Sequence, residues 1–183
     1  ARKEYTRLSA VYELRQMLFA VLEQDGPAAI RYPRGAGIGV PVEEEQQRIP
    51  WGKAELLREG KEVVLLAIGS MVQPSMESAA LLEQAGISAG VVNMRFVKPL
   101  DEEMLLQASR AKLVVTCEEN ALAGGFGAAV AEFYADQGVL VPMLRFGIPD
   151  VFIEQGTRKE LLESCGLLPE QIARRIGKAW GNL

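Results

Sequence analysis

Arginines next to short apolar runs, and glycines set close together, are the residues here whose types and spacing could do chemistry. The stretch "AAIRYPRGAGIGV", residues 28–40, ends an apolar run in Arg34 and then places glycines at 35, 37 and 39. A dinucleotide-binding loop needs G-x-G-x-x-G between a strand and a helix. The spacing here is G-x-G-x-G, with no helical period after it. These glycines therefore read as a flexible connector. Arg34 is a separate matter. It follows the carboxyl end of an expected short strand, where ligands of open α/β sheets gather. Its planar fork suits phosphate or carboxylate. Arg95 has a comparable place in "VVNMRFVKPLD", residues 91–101, after an apolar strand and before a loop with Lys98 and Pro99. The competing reading for Arg95 is a salt bridge to a neighbouring acid. Arg145, in "MLRFG", reads as structural.

Carboxylates offer a second possibility. Glu118 and Glu119 close an apolar strand just before "ALAGGFG". Adjacent carboxylates can raise one pKa and serve as acid and base. They can equally cap the next helix or pair with an arginine. Gly124-Gly125-x-Gly127 could bind an anion on free helix N–H groups, or it could allow close packing. The chain has no histidine, so the commonest general base and transition-metal ligand is absent from it.

Composition narrows the function classes. The 183 residues are 49% hydrophobic, enough for one core and a fragment of a second. Net charge is −4 with both signs mixed along the chain, so no basic stripe for nucleic acid is expected. Uncharged apolar runs fall short of the roughly 18–20 residues that span a membrane. The opening "ARKEYTRLSA" has no apolar core of a signal peptide. Cys117 and Cys165 lack metal-ligand spacing and read as free thiols in a reducing, cytoplasmic setting.

These residues need elements to position them. Residues 11–24 read as a helix with Val11, Leu14, Leu18, Val21 and Leu22 on one face, stopped by Asp25-Gly26-Pro27. "AAIRY" reads as a short strand that ends at Pro33. Residues 36–61 show no core-forming period, so a domain boundary is expected near residues 41–50. From residue 62 the pattern is regular. Strands are expected in 62–69, 87–96, 112–119 and 140–147. Helices are expected over 71–85, 100–109, 124–138, 157–166 and 169–180. In the first of these helices Val72, Met76, Ala79 and Ala80 share a face; in the last, Ile172, Ile176 and Trp180 do. Strands alternating with helices predict an α/β domain with a mostly parallel sheet.

The blocks "GPAAIRYPRG", "VVNMRFVKPLDEEML", "EENALAGGFGAAV", "LRFGIPDVFIEQGTRKELLESCGL" and "IARRI" together resemble the C-terminal part of the 1-deoxy-D-xylulose-5-phosphate synthase family. That resemblance covers roughly residues 11–180. It implies a transketolase C-terminal-type domain over 56–183, a five-stranded mixed, mostly parallel sheet with helices on both faces. It also implies a 41–55 linker, and residues 1–40 as the last helix and strand of a pyrimidine-binding domain. The first ten residues depart from the family pattern and carry no assigned role.

The resemblance implies a function as well. The whole enzyme would be a cytoplasmic homodimer using thiamine diphosphate and Mg2+. It would condense pyruvate, with decarboxylation, and glyceraldehyde 3-phosphate, supplying isoprenoid, thiamine and pyridoxal biosynthesis. Family arginines matching Arg34 and Arg95 hold the phosphate of glyceraldehyde 3-phosphate. The family's Gly-Asp-Gly diphosphate and magnesium segment, its cofactor-activating glutamate and its substrate-handling histidines lie upstream and match nothing here. No catalytic, cofactor-binding or metal residue is therefore expected in this chain, which alone should be inactive. The rival reading is a non-catalytic α/β interaction or anion-binding module.

Overall fold

A computed structural model describes residues 10–32 and 48–182 of the chain. Arg34 and the glycines at 35, 37 and 39 lie outside the described residues. The chain divides into two compact units, residues 1–53 and 54–183.

In the first unit, α1 runs Ala10–Leu22. Its apolar face is only partly covered. Ala20 is buried, while Leu18, Phe19 and Leu22 are exposed. The expected strand over residues 28–32 is absent from the structure. An extended segment becomes a strand only when a neighbour takes up its N–H and C=O groups. No strand is described in this unit to do so.

The second unit holds a five-stranded sheet in the order β1-β3-β2-β4-β5. The strands are β1 Glu55–Arg58, β2 Val63–Ala67, β3 Ala89–Asn93, β4 Leu113–Ala121 and β5 Met143–Ile148. β1 pairs antiparallel with β3, and the other three pairings are parallel. The sheet is thus mixed and mostly parallel, as the resemblance implies. Composition alone points to four strands; the fifth is β1. Glu55, expected at the end of the linker, is its first residue. "ELLR" is too short and too polar to show a period, and it pairs on one side only.

The central strands read as unbroken apolar runs because both of their faces are covered. Every residue of β2 and β3 is buried. Period-2 alternation sends Val64, Leu66, Val92 and Val114 to one face. There they pack with Leu105 and Ala108 of α3 (Glu102–Ala108) and with Phe126, Val130 and Tyr134 of α4 (Phe126–Asp136). The other face takes α2 (Val72–Gln84), against which α6 (Pro169–Trp180) packs. Ile172 and Ile176 of α6 are fully buried and Trp180 is not. On α2 the buried side is Val72, Ser75, Met76, Ser78, Ala79 and Leu82. Ala80 faces solvent, because the stripe turns a little further round the helix than the apolar letters suggest.

Two local devices matter for the site. Asp101 caps α3, accepting the Met104 N–H at 3.2 Å, and also accepts the Ala54 N–H at 2.9 Å. One carboxylate thus joins the start of β1 to a helix N-terminus. Gly60 and Gly90 let the turn after β1 lie against β3. A Cβ on Gly60 would run into the Gly90 backbone.

Candidate functional site

Arg95 lies two residues past the end of β3, and its backbone is unusual. Its φ is 55°, a left-handed conformation that non-glycine residues seldom adopt. The Arg95 N–H donates to Asn93 Oδ1 at 3.2 Å, and Asn93 is fully buried. The preceding Met94 N–H donates to the Ala67 carbonyl at 2.8 Å, which ties the turn to β2. Arg95 Nη2 donates to Glu55 Oε2 at 2.5 Å. The side chain of Arg95 is only 13% exposed and that of Glu55 is 44% exposed. The neighbouring-acid reading of Arg95 is therefore correct as far as the pairing goes. The pair holds a largely covered guanidinium at the strand end, with the more exposed Glu55 beside it. Glu55 itself escapes sequence reading, because a lone glutamate before "LLR" carries no signal.

Glu118 and Glu119 are not an acid–base pair. As neighbours on β4 they point to opposite faces of the sheet. Glu118 is 1% exposed. Its Oε2 accepts the Phe126 N–H at 2.7 Å and its Oε1 accepts the Gly127 N–H at 2.8 Å. The N-terminus of α4, a candidate anion site, already holds an anion from its own chain. The glycines make room for it. A Cβ at Gly125 would collide with the Glu118 carboxylate and the Ala121 carbonyl, and one at Gly127 with Thr116 Oγ1. Arg145 completes this side, donating from Nη1 to the Leu122 carbonyl at 3.2 Å. Its structural reading holds.

Glu119 serves the other face. β3 and β4 add to opposite sides of β2, so the sheet's winding reverses at β2. Ligands of open α/β sheets sit beyond the carboxyl ends of strands at such a reversal. Here that place is filled by the chain. Ser70, in the turn Gly69–Met71 before α2, donates to Glu119 Oε2 at 2.5 Å. Arg158, at the start of α5 (Arg158–Ser164), donates from Nη2 and Nε to Glu119 at 2.6 and 3.3 Å. Ser70 and Arg158 lie 88 positions apart in sequence and no spacing rule links them to Glu119.

Cys117 is buried beside these groups. Burial, with a smaller push from Glu118, raises its thiol to about 12. It is a packing residue and not a nucleophile at neutral pH. Cys165 is a free, partly exposed thiol. Among the described residues no group of three His, Cys, Asp or Glu side chains could hold a metal ion. No described helix is long and apolar enough to cross a membrane.

A mixed sheet with one antiparallel edge and helices on both faces narrows the class, and comparison with known proteins names it. Residues 52–172 match the model of the transketolase C-terminal domain, and the chain belongs to that family. Its curated relatives are more particular. It is 49% identical over 166 residues to the 1-deoxy-D-xylulose-5-phosphate synthase of Parasynechococcus marenigrum, covering 90% of this chain and 26% of that protein. It is 52% identical over 157 residues to 1-deoxy-D-xylulose-5-phosphate synthase 1 of Geobacter sulfurreducens, covering 85% of this chain and 25% of that one. The chain thus spans about a quarter of the length of these relatives. Among solved structures it is similar to a split-gene transketolase in an inactive β4 tetramer. That match has a TM-score of 0.69 and 38% identity, over 74% of this chain and 44% of the other.

Proposed function

We propose that this chain is the C-terminal segment of a 1-deoxy-D-xylulose-5-phosphate synthase and that it contributes substrate-phosphate binding and dimer contacts, not acid–base groups. The observation that carries the reading is near-50% identity to such synthases over nine-tenths of the chain. Arg95, fixed at the carboxyl end of β3, is the described residue suited to a phosphate. Arg34 is proposed for a phosphate role on sequence grounds alone.

In the whole enzyme, thiamine diphosphate with Mg2+ would supply the decarboxylation of pyruvate and the carbon nucleophile, bound by upstream segments. The task of this segment is to bind and orient the phosphorylated aldehyde, so that its carbonyl is presented in one pose. The enzyme is proposed to act as a cytoplasmic homodimer in isoprenoid, thiamine and pyridoxal precursor synthesis. The 183 residues alone are proposed to be inactive, in keeping with a structural relative whose β chains form an inactive tetramer.

Two measurements test this. The isolated chain, given thiamine diphosphate, magnesium and both substrates, should form no product; turnover would refute the assignment. In the full-length enzyme, Arg95→Ala or Arg34→Ala should raise KM for glyceraldehyde 3-phosphate roughly ten- to a hundredfold, the loss of one charged hydrogen bond. KM for pyruvate should change little. Equal effects on both substrates would remove the phosphate role. A tight acidic metabolite bound by the isolated chain would favour the non-catalytic module instead.

A further inference from the structure

We propose that Glu55 sets how tightly Arg95 holds an anion, acting as a fixed counter-charge that keeps phosphate affinity low; this rests on the phosphate role proposed above. Glu55 reaches Arg95 by strand pairing. In the antiparallel β1–β3 ladder it stands opposite Asn93, two residues before Arg95. Its Oε2 then meets Arg95 Nη2 at 2.5 Å.

Two effects of this carboxylate must be weighed. It could orient the guanidinium, or it could cancel part of its charge. Orientation is largely supplied elsewhere. The Arg95 backbone is tied through its N–H to the buried Asn93, and its side chain is 13% exposed, so packing already restricts it. Packing restrains geometry but does not offset charge, so the counter-charge is what Glu55 adds. A carboxylate in contact with the guanidinium offsets its field wherever a second anion approaches. Glu55 is 44% exposed and Arg95 only 13%, so an arriving phosphate meets the carboxylate at the surface beside a largely covered guanidinium. Surface screening keeps the effect modest. Weak coupling of this kind corresponds to roughly two- to fivefold in affinity.

The physical benefit is release. A counter-charge loosens the hold on phosphorylated product along with substrate, which favours product leaving. Uniformly tighter binding does not raise the rate of the chemical step.

The test uses the full-length enzyme with Glu55→Gln, which keeps the shape and an acceptor oxygen but removes the charge. KM for glyceraldehyde 3-phosphate and the inhibition constant of inorganic phosphate should both fall roughly two- to fivefold. KM for pyruvate, and activity with glyceraldehyde lacking the phosphate, should stay put. Glu55→Asp, which keeps the charge, should remain near wild type. If Glu55→Gln leaves the two phosphate-dependent constants unchanged or raises them while Arg95→Ala raises both, the counter-charge is overturned and the phosphate role stands. If Arg95→Ala moves neither constant, the phosphate role fails and this inference fails with it.

Discussion

Glu118 lies on the N–H of Gly127, Oε1 to N at 2.8 Å, and by this contact a strand carboxylate becomes the ligand of the helix that follows it. Its second oxygen takes the Phe126 N–H at 2.7 Å, so one buried side chain satisfies two donors of the first turn of α4. Replacing it separates a structural role from a catalytic one. Glu118→Ala should leave two orphaned N–H groups and a void, costing about 3–5 kcal/mol. Glu118→Gln should cost less, about 1.5–3 kcal/mol, because one acceptor oxygen remains. Urea unfolding of the chain measures both. In the full-length enzyme, a loss of activity without a loss of stability would contradict the structural assignment.

Gly125→Ala should be severe for the same reason. Its new methyl group would meet the Glu118 carboxylate and the Ala121 carbonyl, neither of which can move cheaply. Overpacking in a tight site costs typically about 1–3 kcal/mol, and displacing the buried carboxylate adds to it. Gly177→Ala, where a Cβ meets nothing, is the control. Helix propensity should make that change neutral to slightly stabilising. Thermal unfolding midpoints of the two variants should diverge clearly.

Thr116→Val should stabilise the chain. Thr116 is fully buried on β4 and its hydroxyl oxygen has no hydrogen-bond partner among the described residues. Valine keeps the β-branched shape and removes an unpaired polar atom. The gain expected is up to about 1 kcal/mol. A destabilisation of that size would show that the hydroxyl has a partner after all.

Alkali should weaken the fold in a defined window. Burial raises Cys117 from 9.0 to about 12 and raises Tyr134 above its ordinary 10.0. In both cases the native state keeps a proton that the unfolded chain releases. The unfolded state thus binds fewer protons once pH passes about 9, and stability falls as pH rises from there towards about 12. One such group contributes at most about 1.4 kcal/mol per pH unit. Cys117→Ala should flatten the decline between pH 9 and 10, before Tyr134 enters, as urea midpoints across that range would record.

Much of the second unit was legible from sequence because its signals are local. β2 and β3 read as buried strands from unbroken apolar runs, and α6 from Ile172 and Ile176 at helical spacing behind Pro169. β1 was not legible, since four residues on a sheet edge need no pattern of their own. Residues 28–32 mislead in the opposite direction. Their composition suits a strand, but strandedness belongs to a pair and not to a segment. The site divides in the same way. Arg95 stood out as a charged residue at the end of an apolar run. Glu55, Ser70 and Arg158, which touch the polar groups that matter, are brought there by ladder register and by chain reversal. Neither leaves a trace in spacing.

The filled crevice between β2 and β4 has one more implication. Glu118 and Glu119 are ligands on a tether, and a tethered group competes at an effective concentration that a free metabolite seldom reaches. A phosphate in solution would have to displace an intramolecular carboxylate from α4, or break into the Ser70–Glu119–Arg158 cluster. The sheet therefore keeps the geometry of a ligand-binding fold while shutting its usual berth. New specificity in this domain can evolve more readily at the rim beyond β3, where Glu55 reaches the surface and a single substitution can retune the Arg95 pair.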